Sequence, residues 1–136
     1  RINALIQREM DRGIPSRHIF LMGFSQGCAM ALMTGLRFAH PLGGIIALSG
    51  YLPAPDSTAA ERHQANAHTP IFMAHGSDDD VVPIARGQHA RDLLEQLGYA
   101  VSWHTYPIDH TLCLDEIRAI DRWIGAQAAQ APDSSI

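Results

Sequence analysis

The sequence predicts an α/β domain in which a mostly parallel sheet carries helices on both faces. Short apolar runs alternate with helical segments along the chain, turn residues separate them, and no internal repeat or linker interrupts the order. Because a right-handed helical crossover joins successive parallel strands, this alternation is typical of a parallel sheet. The chain has 136 residues, of which 46% are hydrophobic, so it can bury a sizeable core and predicts one domain.

The opening segment predicts a helix because its apolar residues recur at helical spacing. Gly13 suits the C-terminal end of this helix, and Pro15 lies in the turn that follows. The apolar run at 19–22 then predicts a buried strand, and a segment rich in Ala, Met and Leu predicts a helix at 28–38. The periodic apolar residues of the opening helix are Ile2, Leu5, Ile6 and Met10.

The rest of the chain continues the alternation. Five residues at 44–48, bounded by Ser49 and Gly50, predict a second buried strand. Residues 54–69 show no clear hydrophobic periodicity and predict a surface loop that can include a short helix near 58–64. The last predicted elements are a strand at 71–74, a helix at 84–97, a strand at 101–106 and a helix at 114–126, so that the domain spans 1–126 and a disordered tail spans 127–136.

Charge and composition argue against several classes of protein. The net charge is −4 and the arginines are scattered, so nucleic acid is not an expected partner. No apolar stretch reaches the ~18 to 20 residues that span a bilayer and no leader is recognisable, which predicts a cytoplasmic protein without a membrane span. Two cysteines, Cys28 and Cys113, are too few for a disulfide framework and are expected to be reduced and buried.

A Gly-x-Ser-x-Gly motif centred on Ser25 lies between a predicted strand and a predicted helix. This is the context of a nucleophile elbow, in which a strained turn exposes the serine hydroxyl. Gly23 and Gly27 are expected to permit close backbone approach, and the N–H of Gln26 is expected to donate to an oxyanion. The alternative is a plain turn with a helix-capping serine, and the flanking strand and helix favour the nucleophile.

Two further loops, each after a different predicted strand, carry a carboxylate and an imidazole. His110 follows the fourth strand, and an unperturbed pKa of ~6.5 suits a general base that later acts as an acid. Asp79 follows the third strand and can orient an imidazole, although at least two of the three consecutive aspartates are expected to be solvated. His75 is expected to support the Asp79 loop. The chain order Ser25, Asp79, His110 is the order expected for α/β-hydrolases.

A metal site is the main competing interpretation, because the chain has eight histidines. No His-x-x-x-His pair lies on a predicted helix, and only His110 and Cys113 are spaced as ligands, whereas a zinc site needs three or four. The motif around Ser25 also lacks the length and the lysine of a phosphate-binding loop. The sequence therefore predicts neither a metal nor a cofactor.

The chain resembles the carboxylesterase/phospholipase family of α/β-hydrolases, which includes bacterial carboxylesterases and acyl-protein thioesterases. The similar segments are 19–32, the Leu-Ser-Gly strand end within 47–52, the acid loop at 75–83, and the histidine loop at 106–110 followed by Glu116-Ile117. In the family's acid loop the aspartate comes four residues after a histidine, which selects Asp79. The resemblance implies hydrolysis of a small-molecule carboxylic ester or thioester through an acyl-enzyme, without a cofactor.

Members of this family begin with further strands and a His-Gly loop that supplies a second oxyanion donor, and no segment of this chain is similar to that portion. The chain is thus expected to be the C-terminal part of the fold, truncated before Arg1. An inactive fragment, an interaction module and a serine peptidase are the alternatives to an active esterase. Leu52 and Ile108 flank the expected site and are predicted to line an apolar acyl pocket. The sequence is also compatible with a homodimer.

Overall fold

Four strands form one parallel sheet in the order β1-β2-β3-β4 in the computed structural model, which describes residues 2–130. Each strand pairs in parallel with the next strand along the chain. This architecture confirms the predicted α/β class with a parallel sheet. The strands are β1 (Phe20–Phe24), β2 (Gly44–Leu48), β3 (Ile71–Gly76) and β4 (Val101–Tyr106).

Five α-helices connect and flank these strands. The final helix continues through Gln130, beyond its predicted end at residue 126, because its last residues, Gln-Ala-Ala-Gln, are good helix formers. Residues 131–136 of the predicted tail lie outside the described residues. The helices are α1 (Ile2–Asp11), α2 (Gln26–Arg37), α3 (Pro55–Glu61), α4 (Ile84–Gln96) and α5 (Leu114–Gln130).

The core lies on both faces of the two central strands, whose residues are all buried. Successive side chains of a strand point to opposite faces of the sheet. Ile45 and Ile71 therefore pack with buried residues of α2 and α4, whereas Ile46 and Phe72 pack with Ile120 of α5. Helices on both faces are thus confirmed.

β1 is an edge strand in the described part of the chain, since it pairs with β2 alone. Its residues are only partly buried, and Met22 is 62% exposed. Within residues 2–130, β1 is thus less buried than predicted, because no described strand pairs with its other edge. An apolar run does not by itself tell a central strand from an edge strand, because burial depends on which elements pack beside it.

All four strands run in the same direction, so the loops that follow them meet at one edge of the sheet. Ser25 follows β1, the acid loop follows β3, and His110 lies in the loop between β4 and α5. Among residues 2–130 there is no helix with the length and apolar character that crossing a membrane requires.

Candidate active site

Ser25 occupies a sharp turn between β1 and α2. Its φ of 60° and ψ of −118° are values that residues other than glycine rarely adopt. The backbone N–H of Ser25 donates to the carbonyl oxygen of Leu48 at 2.8 Å, which fixes the turn to the end of β2. Within the described residues the Ser25 side chain makes no capping hydrogen bond to α2, so the helix-capping alternative is excluded.

Close backbone approach is required on one side of this turn only. A methyl group added at Gly23 would overlap the carbonyl group of Gly27, because the first turn of α2 passes directly over the end of β1. At Gly27 an added methyl group would meet no described atom within 4 Å. The packing therefore requires a glycine at position 23 but not at position 27. The expectation that both glycines permit close approach is corrected for Gly27.

This difference predicts opposite effects for two matched substitutions. Gly23→Ala is expected to destabilise the chain by about 3 kcal/mol or more, because strand and helix must separate to admit the methyl group. Gly27→Ala is expected to leave stability unchanged or to raise it by up to about 1 kcal/mol, because alanine is the better helix former. Urea unfolding of both variants measures these changes, and equal effects would contradict the packing described here.

His110 contacts both other members of the predicted triad. Its Nε2 lies 3.0 Å from Ser25 Oγ, and its Nδ1 lies 2.7 Å from Asp79 Oδ2. With a neutral imidazole, Nδ1–H donates to the carboxylate and Nε2 accepts from the serine hydroxyl. The His110 ring also packs against Phe24, with the ring centroids 4.7 Å apart. Three residues from three separate loops thus form one hydrogen-bonded chain.

Asp79 is the only one of the three consecutive aspartates that is buried, while Asp78 and Asp80 are exposed. Its Oδ1 accepts from the backbone N–H groups of Val81 and Val82, at 2.9 and 2.8 Å. Burial acts to raise the pKa of Asp79, but the hydrogen bonds from His110, Val82 and Val81 outweigh it and lower the pKa below its ordinary value. The carboxylate that faces His110 is therefore ionised at neutral pH.

The lowered pKa predicts that ionised Asp79 stabilises the fold and that acid removes this contribution. A carboxyl group with a depressed folded-state pKa adds stability above its unfolded value of 3.8, and the contribution is lost as the pH falls through the lower folded-state value. The gap in free energy of unfolding between the parent chain and Asp79→Asn should shrink below about pH 4. Urea titrations from pH 7 to pH 3 measure it, and a gap that stays constant would contradict the assignment.

His75 supports the acid loop, as predicted. Its side chain is 1% exposed, and Nε2–H donates to the carbonyl oxygen of Val82 at 2.7 Å. The same nitrogen lies 3.6 Å from Asp79 Oδ2. Gly87 on α4 packs against the other side of the ring, where a larger residue would press on Nδ1. His75 therefore fixes the segment whose N–H groups hold Asp79.

Gln26 is the first residue of α2 and directly follows Ser25. The first N–H groups of a helix have no acceptor inside the helix, and the helix dipole is positive at this end. The backbone N–H of Gln26 therefore lies where a helix favours negative charge. Its role as an oxyanion donor remains a prediction.

The two predicted substrate-binding residues lie in different places. Leu52 lines a cavity of about 260 Å³ between the segment after β2 and α4. Ile108 is not among the residues lining that cavity; its carbonyl oxygen accepts from the backbone N–H of Asp78 at 3.0 Å, which ties the histidine loop to the acid loop. Ser25 and His110 do not line the cavity either. The roles of Leu52 and Ile108 in substrate binding stay a prediction.

The two cysteines differ in environment. Cys28 is buried behind the serine turn, and burial raises the pKa of its thiol to about 12, against a smaller opposing effect of a backbone hydrogen bond from Tyr51. Cys113 is only partly buried, so the expectation of two buried cysteines is correct for Cys28 and wrong for Cys113. Both are free thiols. The high pKa keeps Cys28 protonated at neutral pH, and thiols in this state are unreactive.

Some contacts of the site carry no signal in the sequence. Phe24 was predicted neither as a strand residue nor as the packing partner of His110, because it lies inside the serine motif. The donors from Val81 and Val82 are backbone groups, which any residue type would supply. The acceptor at Leu48 is a backbone carbonyl as well. Only the three-dimensional structure shows which backbone groups lie at the site.

A parallel sheet with helices on both faces, a strained serine between a strand and a helix, and an acid and a histidine on later loops define the α/β-hydrolase class. Within that class, the chain belongs to the phospholipase/carboxylesterase family, whose model matches residues 1–127.

Comparison with known proteins agrees with this family. The chain is 45% identical over 134 residues to acyl-protein thioesterase 1 of Neurospora crassa, covering 96% of this chain and 55% of the relative. It is 32% identical over 124 residues to carboxylesterase SOBER1 of Arabidopsis thaliana, covering 90% and 54%. The chain therefore spans about half the length of the curated relatives that it matches.

Solved structures agree as well. The crystal structure of Arabidopsis thaliana SOBER1 superposes with a TM-score of 0.90 at 31% identity, covering 93% of this chain and 61% of the other. The crystal structure of esterase PE8 gives a TM-score of 0.85 at 34% identity, with coverages of 92% and 58%.

Proposed function

We propose that the protein is a serine hydrolase that cleaves carboxylic ester or thioester bonds through an acyl-enzyme intermediate. One observation carries the proposal: a single imidazole lies 3.0 Å from a serine hydroxyl and 2.7 Å from a buried carboxylate. A hydroxyl is a weak nucleophile until an adjacent base removes its proton, and the base must be held in one tautomer and orientation. The arrangement of Ser25, His110 and Asp79 meets both requirements.

The first half of the reaction acylates Ser25. Its Oγ attacks the acyl carbonyl carbon while the hydroxyl proton passes to Nε2 of His110, and the charge on the carbonyl oxygen is stabilised by the N–H of Gln26. Ionised Asp79 stabilises the imidazolium that forms. Collapse of the tetrahedral intermediate breaks the bond to the leaving oxygen or sulfur, which takes the proton from His110.

Water completes the cycle. It attacks the acyl carbon and gives a proton to Nε2 of His110, which then returns it to Ser25 Oγ as the carboxylic acid leaves. Every step uses side chains and a backbone N–H of the chain together with water. The named relatives support this chemistry, since they are an acyl-protein thioesterase and a carboxylesterase.

Covalent labelling of the purified chain tests the proposal. A fluorophosphonate reacts only with an activated serine, and mass spectrometry of the digested product identifies the residue. We expect one adduct, on Ser25. Butyryl esters, butyryl thioesters and butyramides with matched leaving groups then separate an esterase or thioesterase from a peptidase. A folded sample that does not label would contradict catalysis by this chain and would favour an interaction module.

A further inference from the structure

A small cavity lies between the segment after β2 and helix α4, on the same side of the sheet as α2. Its volume is about 260 Å³, slightly below the ~300 Å³ at which pockets for drug-sized ligands begin. The lining is mainly aliphatic and aromatic, with two basic side chains. The lining residues are Tyr51, Leu52, Pro55, Ala85, Arg86, His89, Ala90 and Leu93.

Arg86 is exposed and forms no close ion pair with an acidic residue of the described chain. Within residues 2–130, neither Arg86 nor His89 forms an ion pair or a side-chain hydrogen bond. The acidic residues that follow on α4, Asp92 and Glu95, lie beside Arg91 instead. An uncompensated guanidinium beside an apolar cavity attracts an anion.

The guanidinium of Arg86 is also held in place. Its central carbon lies over the Tyr51 ring, 4.0 Å from the ring centroid, which is within the range of a cation–π interaction. The N–H groups of Arg86 have no acceptor among residues 2–130 and are available to a ligand. A planar fork of this kind matches the two oxygens of a carboxylate.

The cavity adjoins the serine turn through the chain itself. Gly50 packs against this turn, since a methyl group there would lie 2.7 Å from the carbonyl oxygen of Ser25 and 2.6 Å from the sulfur of Cys28. Tyr51 and Leu52, the next two residues, form one wall of the cavity. The wall of the cavity therefore begins one residue after the glycine that packs against the serine turn.

From these observations we propose that the cavity is a subsite for a carboxylate on a short aliphatic chain, carried by the ester or thioester substrate. The inference rests on the function proposed above and adds a substrate class to it. Arg86 binds the carboxylate, His89 lies one helical turn further along α4, and Leu52, Pro55 and Leu93 contact the aliphatic part. The permanent single charge of Arg86 matches a monoanion.

Binding of two small six-carbon probes, one with an anionic carboxylate and one with a neutral hydroxyl group, tests this subsite. Hexanoate and 1-hexanol have the same chain length, and each is titrated into ¹⁵N-labelled chain while amide shifts are followed by NMR. We expect hexanoate to shift amides of α4 and of Tyr51 and Leu52. Arg86→Met, which removes the charge but keeps an unbranched stem, should weaken hexanoate about tenfold and change 1-hexanol less than twofold. Arg118→Met, an exposed arginine on α5, is the matched control.

The outcomes separate the subsite from the catalytic proposal, because binding is measured without turnover. An unchanged dissociation constant for hexanoate in Arg86→Met, equal weakening of both probes, or shifts confined to other elements would overturn the subsite. Fluorophosphonate labelling of Ser25 is measured on the same samples. Labelling of Ser25 without hexanoate binding would overturn the subsite and leave the proposed reaction unaffected. Hexanoate binding without labelling would contradict the proposed reaction, and with it the substrate role assigned to the cavity.

Discussion

Replacing Ser25 with alanine is expected to lower kcat for ester hydrolysis by about 10⁶-fold, the loss that follows removal of the nucleophile from a comparable triad. The substitution removes the only atom that can form the acyl-enzyme in the proposed reaction, and His110 then has no hydroxyl proton to accept. Binding of substrate does not depend on this oxygen, so KM should change little. Residual activity should come from the oxyanion donor at Gln26 and from substrate positioning.

Steady-state hydrolysis of a butyryl ester by the purified protein measures this effect. Ser77→Ala is the matched control, because Ser77 is an exposed serine at the same edge of the sheet and its hydroxyl donates only to the carbonyl oxygen of Tyr106. We expect that control to retain normal turnover. A Ser25→Ala protein with parental kcat would refute the nucleophile assignment.

Asp79→Asn is expected to lower kcat by about 10⁴-fold. The amide keeps the size of the side chain but removes the charge that stabilises the imidazolium, and its NH₂ group can donate to His110 Nδ1. That donation would leave the proton on Nε2, which then could no longer accept from Ser25. The loss is therefore expected in kcat, with the three side chains still in contact.

The neighbouring aspartates supply an internal control for this prediction. Asp78 and Asp80 are exposed, whereas the carboxylate of Asp79 is fully buried. Asp78→Asn and Asp80→Asn remove the same charge from the same loop, so we expect each to retain kcat within about twofold, as is usual for exposed positions. Similar losses in all three variants would mean that the charge of the loop matters and not the hydrogen bond to His110.

Local sequence patterns predicted most of the secondary structure. β2 and β4 have the predicted bounds, because turn residues delimit an apolar run on both sides of β2 and a β-prone run in β4. β3 continues two residues beyond its predicted end, through His75 and Gly76, and β1 includes Gly23 and Phe24. In each case the missed residues belong to a functional motif, where glycine and polar side chains conceal the end of a strand.

The order of the motifs along the chain predicted the site, but it did not select one aspartate. Three adjacent carboxylates are chemically equivalent in the sequence, and only the resemblance to a family pointed to Asp79. In the structure, burial and the N–H groups of Val81 and Val82 distinguish Asp79 from its neighbours. Leu52 lines a cavity and Ile108 ties two loops together, but the predicted role of both in substrate binding was inferred from loop membership alone and stays a prediction.

The sequence by itself therefore determined the fold class, the elements and the residue types of the site, because each depends on neighbours within a few positions. Tertiary structure alone decided which aspartate is buried and which basic side chains reach the cavity. The contact between Ser25 and His110 joins residues 85 positions apart. Such contacts depend on strand register and on the packing of helices across the sheet, and these are set by the whole chain.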